Sequence, residues 1–118
     1  SSEESSAHDN FKKAIVDAAE NDTILTLKEL APVRLLKNPF YQKIFDAYQK
    51  GASAEQLKKL LGRGRAKKGI FEGDLDEGEL EIGQVSAQIE EIKSVKEIMQ
   101  EIITDFNSTK IALNNFDF

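Results

Sequence analysis

Ser94-Val-Lys-Glu-Ile-Met-Gln-Glu-Ile-Ile-Thr-Asp-Phe106 is the stretch on which the fold class turns. Its Ser-x-x-Glu opening has the spacing of a reciprocal cap: a hydroxyl accepts from a first-turn amide while the carboxylate three residues on reaches back. Val95, Ile98, Met99, Ile102, Ile103 and Phe106 then recur at three- and four-residue intervals, which gathers them on one side of a helix. The spacing predicts that this helix runs to about Leu113, with Asn114 to Phe118 as a frayed or docked tail.

Working back toward the N-terminus, Ile82, Val85, Ile89 and Ile92 keep the same rhythm and predict another helix. Glu72 to Gly78, with two glycines and four acids, is expected to be a solvated loop. Ser53-Ala-Glu-Gln56 repeats the capping-box spacing ahead of Leu57, Leu60 and Leu61, and Gly62 and Gly64 are expected to bend or break the continuation through Phe71. Asn38-Pro39 is a strong helix start, because Asn caps and Pro suits the first helical position. Phe40, Ile44, Phe45 and Tyr48 are its expected buried stripe, and Gly51 its stop. The first helix is read from Phe11, Ala14, Ile15 and Ala18, capped by Ser5 or Ser6 and ending near Asn21. Between the first two helices, Asp22 to Leu27 and Pro32 to Leu35 are too short and too β-branched for helix and predict at most two short strands. The fold class is therefore mainly α.

Composition bounds the chemistry. In 118 residues there is one domain or part of one, and an apolar share of 40% with 31% charged residues implies packed structure rather than disorder. The absence of cysteine removes disulfides, thiolate nucleophiles and Cys-based metal sites. No apolar run approaches the roughly 20 residues needed to cross a bilayer, and Ser1 to Ser6 are polar and acidic where a secretory signal is basic and then apolar. A cytoplasmic setting with no membrane partner is expected. A start without methionine is expected of a processed or cut chain, and equally of one whose initiator has been removed. A net charge of −5 argues against nucleic acid as the partner.

No self-sufficient catalytic centre emerges. His8 is the only histidine and is expected to lie in the first turn of a helix, interacting with the loop or solvent. Asp74-Leu-Asp-Glu-Gly78 fails as a calcium loop, since the glycine comes one residue early and Val85 stands where a bidentate acid is required. Gly62-Arg-Gly-Arg-Ala-Lys-Lys-Gly69 is basic but lacks interleaved aromatics and is followed by six acids up to Glu81, so pairing within the protein or with a neighbouring surface is expected. Its glycines do not have phosphate-loop or dinucleotide spacing. Gly78 to Gln84 combines two glycines with a neutral amide at a loop-to-helix junction, a place where backbone donors can approach a ligand.

Five segments in order carry a resemblance: Ser2-Glu-Glu-Ser-Ser-Ala-His8, Pro32-Val-Arg-Leu-Leu-Lys-Asn38, Gly62-Arg-Gly-Arg65, Glu72-Gly-Asp74 and Gly78-Glu-Leu-Glu-Ile-Gly-Gln84. Together they resemble the C-terminal part of the flavin-dependent nitronate monooxygenase and type II enoyl-acyl-carrier-protein reductase family. The resemblance implies the helical C-terminal region of a TIM-barrel flavoenzyme. Residues 1–21 would be the helix following the last barrel strand, 22–78 a small helical subdomain, 79–113 the active-site loop and closing helices, and 114–118 a tail. The barrel itself, with the main FMN contacts and the catalytic histidine, would be preceding polypeptide. NADH or NADPH is an implied reductant, and a homodimer an implied assembly.

The family loop Gly-x-x-x-Ala-Gly-Gln approaches the substrate side of the flavin, so the resemblance makes Glu81, Gly83 and Gln84 substrate-proximal and His8 not the base. Ser1 and Ser2 match the junction near the FMN phosphate. Two departures stand out: Glu81 replaces the usual methionine or serine, and Ile82 the alanine. A carboxylate there weighs against an anionic nitronate. The implied activity is oxidation of nitronates or reduction of enoyl thioesters, for which the segment alone is not expected to suffice. The reading of another class is an independent helical module that docks a protein partner through its apolar stripes.

Overall fold

A computed structural model of the chain describes residues 2–19, 21–28, 30 and 32–116. Helix α1 (Asp9–Asp17) is followed by strands β1 (Thr23–Thr26) and β2 (Val33–Leu36), then α2 (Pro39–Gln49), α3 (Ala54–Leu61), α4 (Arg65–Ile70), a short 3₁₀ helix (Gln84–Gln88) and the long α5 (Val95–Asn114). The mainly helical class with two short strands is as the sequence implied.

The strands pair antiparallel, Thr23 with Leu36 and Thr26 with Val33. Side chains alternate across a strand, so adjacent Leu35 and Leu36 enter different cores. Leu35 packs with Leu27, Phe40, Ile44 and Leu57, joining the sheet to α2 and α3. Leu36 packs with Phe11, Ile15 and Leu80, joining it to α1 and the stretch before the 3₁₀ helix. Burying each such side chain is worth about 1.5–3 kcal/mol. Leu27, 2% exposed, closes β1 in a left-handed conformation at φ 56°.

Local capping explains the helix starts. Asn38 Oδ1 accepts from the Tyr41 amide at 3.0 Å with Pro39 beside it, and both capping boxes form, Ser53 with Gln56 and Ser94 with Glu97. Four expectations are corrected. Helix α1 is capped by His8, whose Nδ1 accepts from the Asn10 amide at 3.0 Å, while Ser5 Oγ accepts from the Ala7 amide. That helix ends at Asp17 instead of near Asn21, because Ala18 turns extended. In α2 the inner face holds Phe40, Tyr41 and Ile44, and Phe45 is 42% exposed. Ile82 to Ile92 is not a helix: Ile82 lies in an extended bridge to β2, and only Gln84–Gln88 winds, as 3₁₀.

Helix α5 is the anomaly. It buries none of its residues; Met99 is 50% exposed and Phe106 65%. Its first turn is held by Glu4, whose carboxylate accepts from the Val95 amide at 2.8 Å, and its second by the Lys93–Glu101 pair at 2.8 Å. The helix makes the molecule 57 × 35 × 20 Å with a radius of gyration of 18.3 Å, against about 13–14 Å for a compact chain of this length.

Candidate functional site

Gly78–Gln84 is positioned from three sides. Asn38 Nδ2 donates to the carbonyls of Leu75 and Gly78, each at 2.8 Å, so the residue that caps α2 also clamps the acidic loop. Within that loop Asp74 Oδ1 accepts from the amides of Asp76 and Glu77, at 3.1 and 3.0 Å, making an Asx-type turn. Gly78 sits against Gly69 of α4 so closely that a Cβ on it would collide with the Gly69 backbone. Glu79 N then donates to the Arg65 carbonyl at 2.9 Å, and an extended stretch continues along β2: Leu36 N to Leu80 O and Ile82 N to Arg34 O, both 2.9 Å. Glu81 pairs with Leu35 across this bridge.

Arg65 ties the same loop to the helices. Its Nε and Nη2 donate to the last carbonyls of α3, Leu61 at 3.0 Å and Leu60 at 3.2 Å. Nη1 donates to the Glu77 carbonyl and carboxylate at 2.9 Å, and the guanidinium carbon lies 4.5 Å from the centre of the Phe40 ring. Lys43 also pairs with Glu77. These cations hold the Glu77 carboxyl below its ordinary pKa, Lys43 contributing most. For Arg65 the basic segment thus pairs internally, as its sequence implied; Arg63, Lys67 and Lys68 are exposed.

The site carries one perturbed acid. Glu79 is 7% exposed, and its pKa is pushed up to about 7, first by burial and then by the Glu81 charge and a hydrogen bond between the two carboxyls. Near neutral pH Glu79 is therefore only partly ionised beside the Glu81 charge. Gly83 is open, with nothing within 4 Å of an added Cβ, and exposed Gln84 starts the 3₁₀ helix. Ser86, 2% exposed, is the one buried hydroxyl without a partner among the described residues.

Of the residues expected at the site, Glu81, Gly83 and Gln84 lie along one short stretch. Ser2 is elsewhere, bridged to Lys93 with the Lys12 ammonium 2.8 Å from the neighbouring Glu3 carbonyl. Ser1 lies outside the described residues. His8 packs its ring against Gly73 in addition to capping α1, which joins the Ala-His and Gly-Asp segments. No group of acids and histidines suited to a metal occurs among the described residues.

Sequence reasoning did not single out Glu79, Asn38 as the loop clamp, or the cations Arg34 and Lys37. These two line a cleft of about 870 Å³ together with Asn21, Thr23, Gln84 and Gln88. The Glu-Leu-Glu alternation of residues 79–81 is the signal that would have found an extended stretch with paired acids.

The nitronate monooxygenase family model matches residues 1–105. The chain belongs to that family. FabK from Thermotoga maritima is similar in structure over 98% of this chain, at 34% identity and TM-score 0.85. A FabK mutant from the same organism gives 32% identity and TM-score 0.79, again over 98% of the chain. The chain spans 37% and 34% of those two FabK chains. No curated protein matches. In this member of the nitronate monooxygenase family, no helix among the described residues is long and apolar enough to cross a membrane.

Proposed function

We propose that the chain is the C-terminal helical portion of an FMN-dependent oxidoreductase acting on enoyl thioesters or nitronates, with a preceding barrel polypeptide as its partner. The observation that carries this is α5. Its apolar stripe from Val95 through Phe106 is exposed over more than three turns, in a family member that spans about a third of its structural relatives. A helix so apolar on one side is stable where another surface covers it. In this reading α5 packs on the barrel and Gly78–Gln84 faces the flavin.

FMN, when bound, supplies the two-electron redox chemistry. The residues present fit its approach. Open Gly83 leaves room for a flat ring, Gln84 adds a neutral amide, and the unpartnered Ser86 hydroxyl is a hydrogen-bonding group not yet satisfied within the chain. Near Ser2, the Lys12 ammonium is compatible with a phosphate at that end. NADH or NADPH would be the reductant, in a cytoplasmic enzyme.

The carboxyl pair favours one substrate class. With Glu79 partly ionised and the Glu81 charge beside it, this stretch stays negative near neutral pH. Beside the flavin this repels a nitronate anion and tolerates an uncharged enoyl group. The test is steady-state turnover of the intact protein with an enoyl thioester and with a nitronate. The proposal expects FMN to copurify and enoyl reduction to dominate, with Glu81→Gln improving relative turnover of the nitronate. An intact protein without flavin, or one indifferent to Glu81→Gln toward both substrates, would contradict it.

A further inference from the structure

We propose that the Arg34–Lys37 cleft binds the phosphate-bearing tail of a ligand whose reacting end lies at Gln84. The inference rests on the reading above for its reacting end, but the cleft is argued from its own residues. Arg34, on β2, and Lys37, just beyond it, bring two cations to one cavity of about 870 Å³, a volume in the range of cofactor and nucleotide pockets.

Among the described residues neither cation is paired with an acid. Arg34 Nη1 makes one contact, to Thr23 Oγ1 at 3.3 Å across the sheet, and no carboxylate among the described residues pairs with Arg34 or Lys37. Asp22, whose carbonyl takes the Lys37 amide at 2.8 Å, turns its carboxylate onto the Ala19 amide at 2.7 Å. The remaining lining is uncharged: Asn21, Thr23, Gln84 and Gln88 supply donors and acceptors, and Val85 and Ala87 an apolar edge.

In a chain of net charge −5, two cations that no described acid pairs, over a mostly polar cavity, select a phosphoryl group. A guanidinium offers it a planar fork and an ammonium a point charge. Gln84 is shared between this cavity and the Gly78–Gln84 stretch, so a ligand can be held by its phosphate at one end and react at the other. Two ligands carry that chemistry: a nicotinamide nucleotide through its pyrophosphate, and a pantetheine thioester through its phosphate.

The experiment is calorimetric titration of the intact protein with inorganic pyrophosphate, which requires no redox step. Pyrophosphate should bind, and Lys37→Gln, an exposed position, should weaken it about tenfold, the loss expected of one charge-assisted contact. Arg34→Lys should weaken it by a comparable factor with an unchanged melting temperature, and the exposed control Lys59→Gln should leave it unaltered. In flavin-loaded protein, Lys37→Gln then raises KM for the ligand that uses the cleft, the nicotinamide nucleotide or the thioester, and so names the source. Absence of pyrophosphate binding, or binding insensitive to both substitutions, overturns the proposal even if flavin turnover is intact. Binding that is sensitive to them in a protein without flavin upholds the cleft and overturns the flavin reading instead.

Discussion

Replacing Asn38 by Asp separates two jobs that one side chain performs. The oxygen that caps α2 by accepting from Tyr41 N is retained, while the nitrogen that donates to Leu75 O and Gly78 O, each at 2.8 Å, becomes a second oxygen facing two carbonyls. Two part-buried hydrogen bonds at about 0.5–1.5 kcal/mol each give a loss of about 1–3 kcal/mol, and repulsion between the carboxylate and the carbonyls adds to it. Asn38→Ala also loses both bonds, plus a cap worth about 1 kcal/mol, but introduces no repulsion. The two variants should therefore be destabilised by similar amounts, although Asp is as good a cap as Asn. Urea unfolding of the intact protein measures the loss, and amide exchange over residues 75–84 should quicken in both variants while α2 stays protected in Asn38→Asp. Wild-type stability of Asn38→Asp would refute the claim that this side chain clamps the loop.

Glu79 gives a pH dependence whose sign is fixed by its raised pKa. The folded carboxyl, pushed up to about 7 from an ordinary 4.5, keeps its proton where the unfolded chain has lost it. Stability contributed through this group therefore falls as pH rises from about 4.5 to about 7, by at most about 1.4 kcal/mol per pH unit, and is flat above. Glu79→Gln should remove that decline and be the more stable form at pH 8, as read by thermal melts across this range. Phe106→Ser tests the cover over α5: in the intact protein it should cost about 1.5–3 kcal/mol, the value of a buried phenylalanine, whereas an exposed position loses almost nothing. Gly78→Ala should destabilise the loop, since a Cβ there meets the Gly69 backbone, and the melting temperature should drop by several degrees, roughly what 1–3 kcal/mol of overpacking gives.

Most helix starts were legible because capping is local. Asn38-Pro39, Ser53-Gln56 and Ser94-Glu97 each contain both partners of the interaction within four residues, and each forms. The features that failed were decided by distant chain. Ile82 and Ile89 have helical spacing, yet both pack toward Phe11 and Ile15 from an extended bridge and a 3₁₀ end. The amides that α-helix would have used go to β2 and to short turns, such as Ile82 N to Arg34 O. Tyr41 displaces Phe45 from the inner face of α2, a choice made by the neighbours and invisible to periodicity. His8 takes the cap from Ser5 and Ser6 because its ring also packs on Gly73, sixty-odd residues away. At the candidate site, Glu81, Gly83 and Gln84 were named through family resemblance. The burial of Glu79 and the Arg34–Lys37 cleft depend on strand register, which composition does not carry. The exposed stripe of α5 was legible as a stripe, and its lack of cover needed coordinates.

The central claim is that α5 and Gly78–Gln84 lie against a flavin-carrying barrel supplied by preceding polypeptide. Hydrogen exchange of the intact protein, with its flavin and after the flavin is stripped, tests this most directly. The account predicts slow exchange throughout Val95–Asn114 in both states, and faster exchange at Gly83 and Gln84 once the flavin is gone. An α5 that exchanges as freely as an isolated helix, or a Gly83–Gln84 segment indifferent to flavin removal, would contradict it.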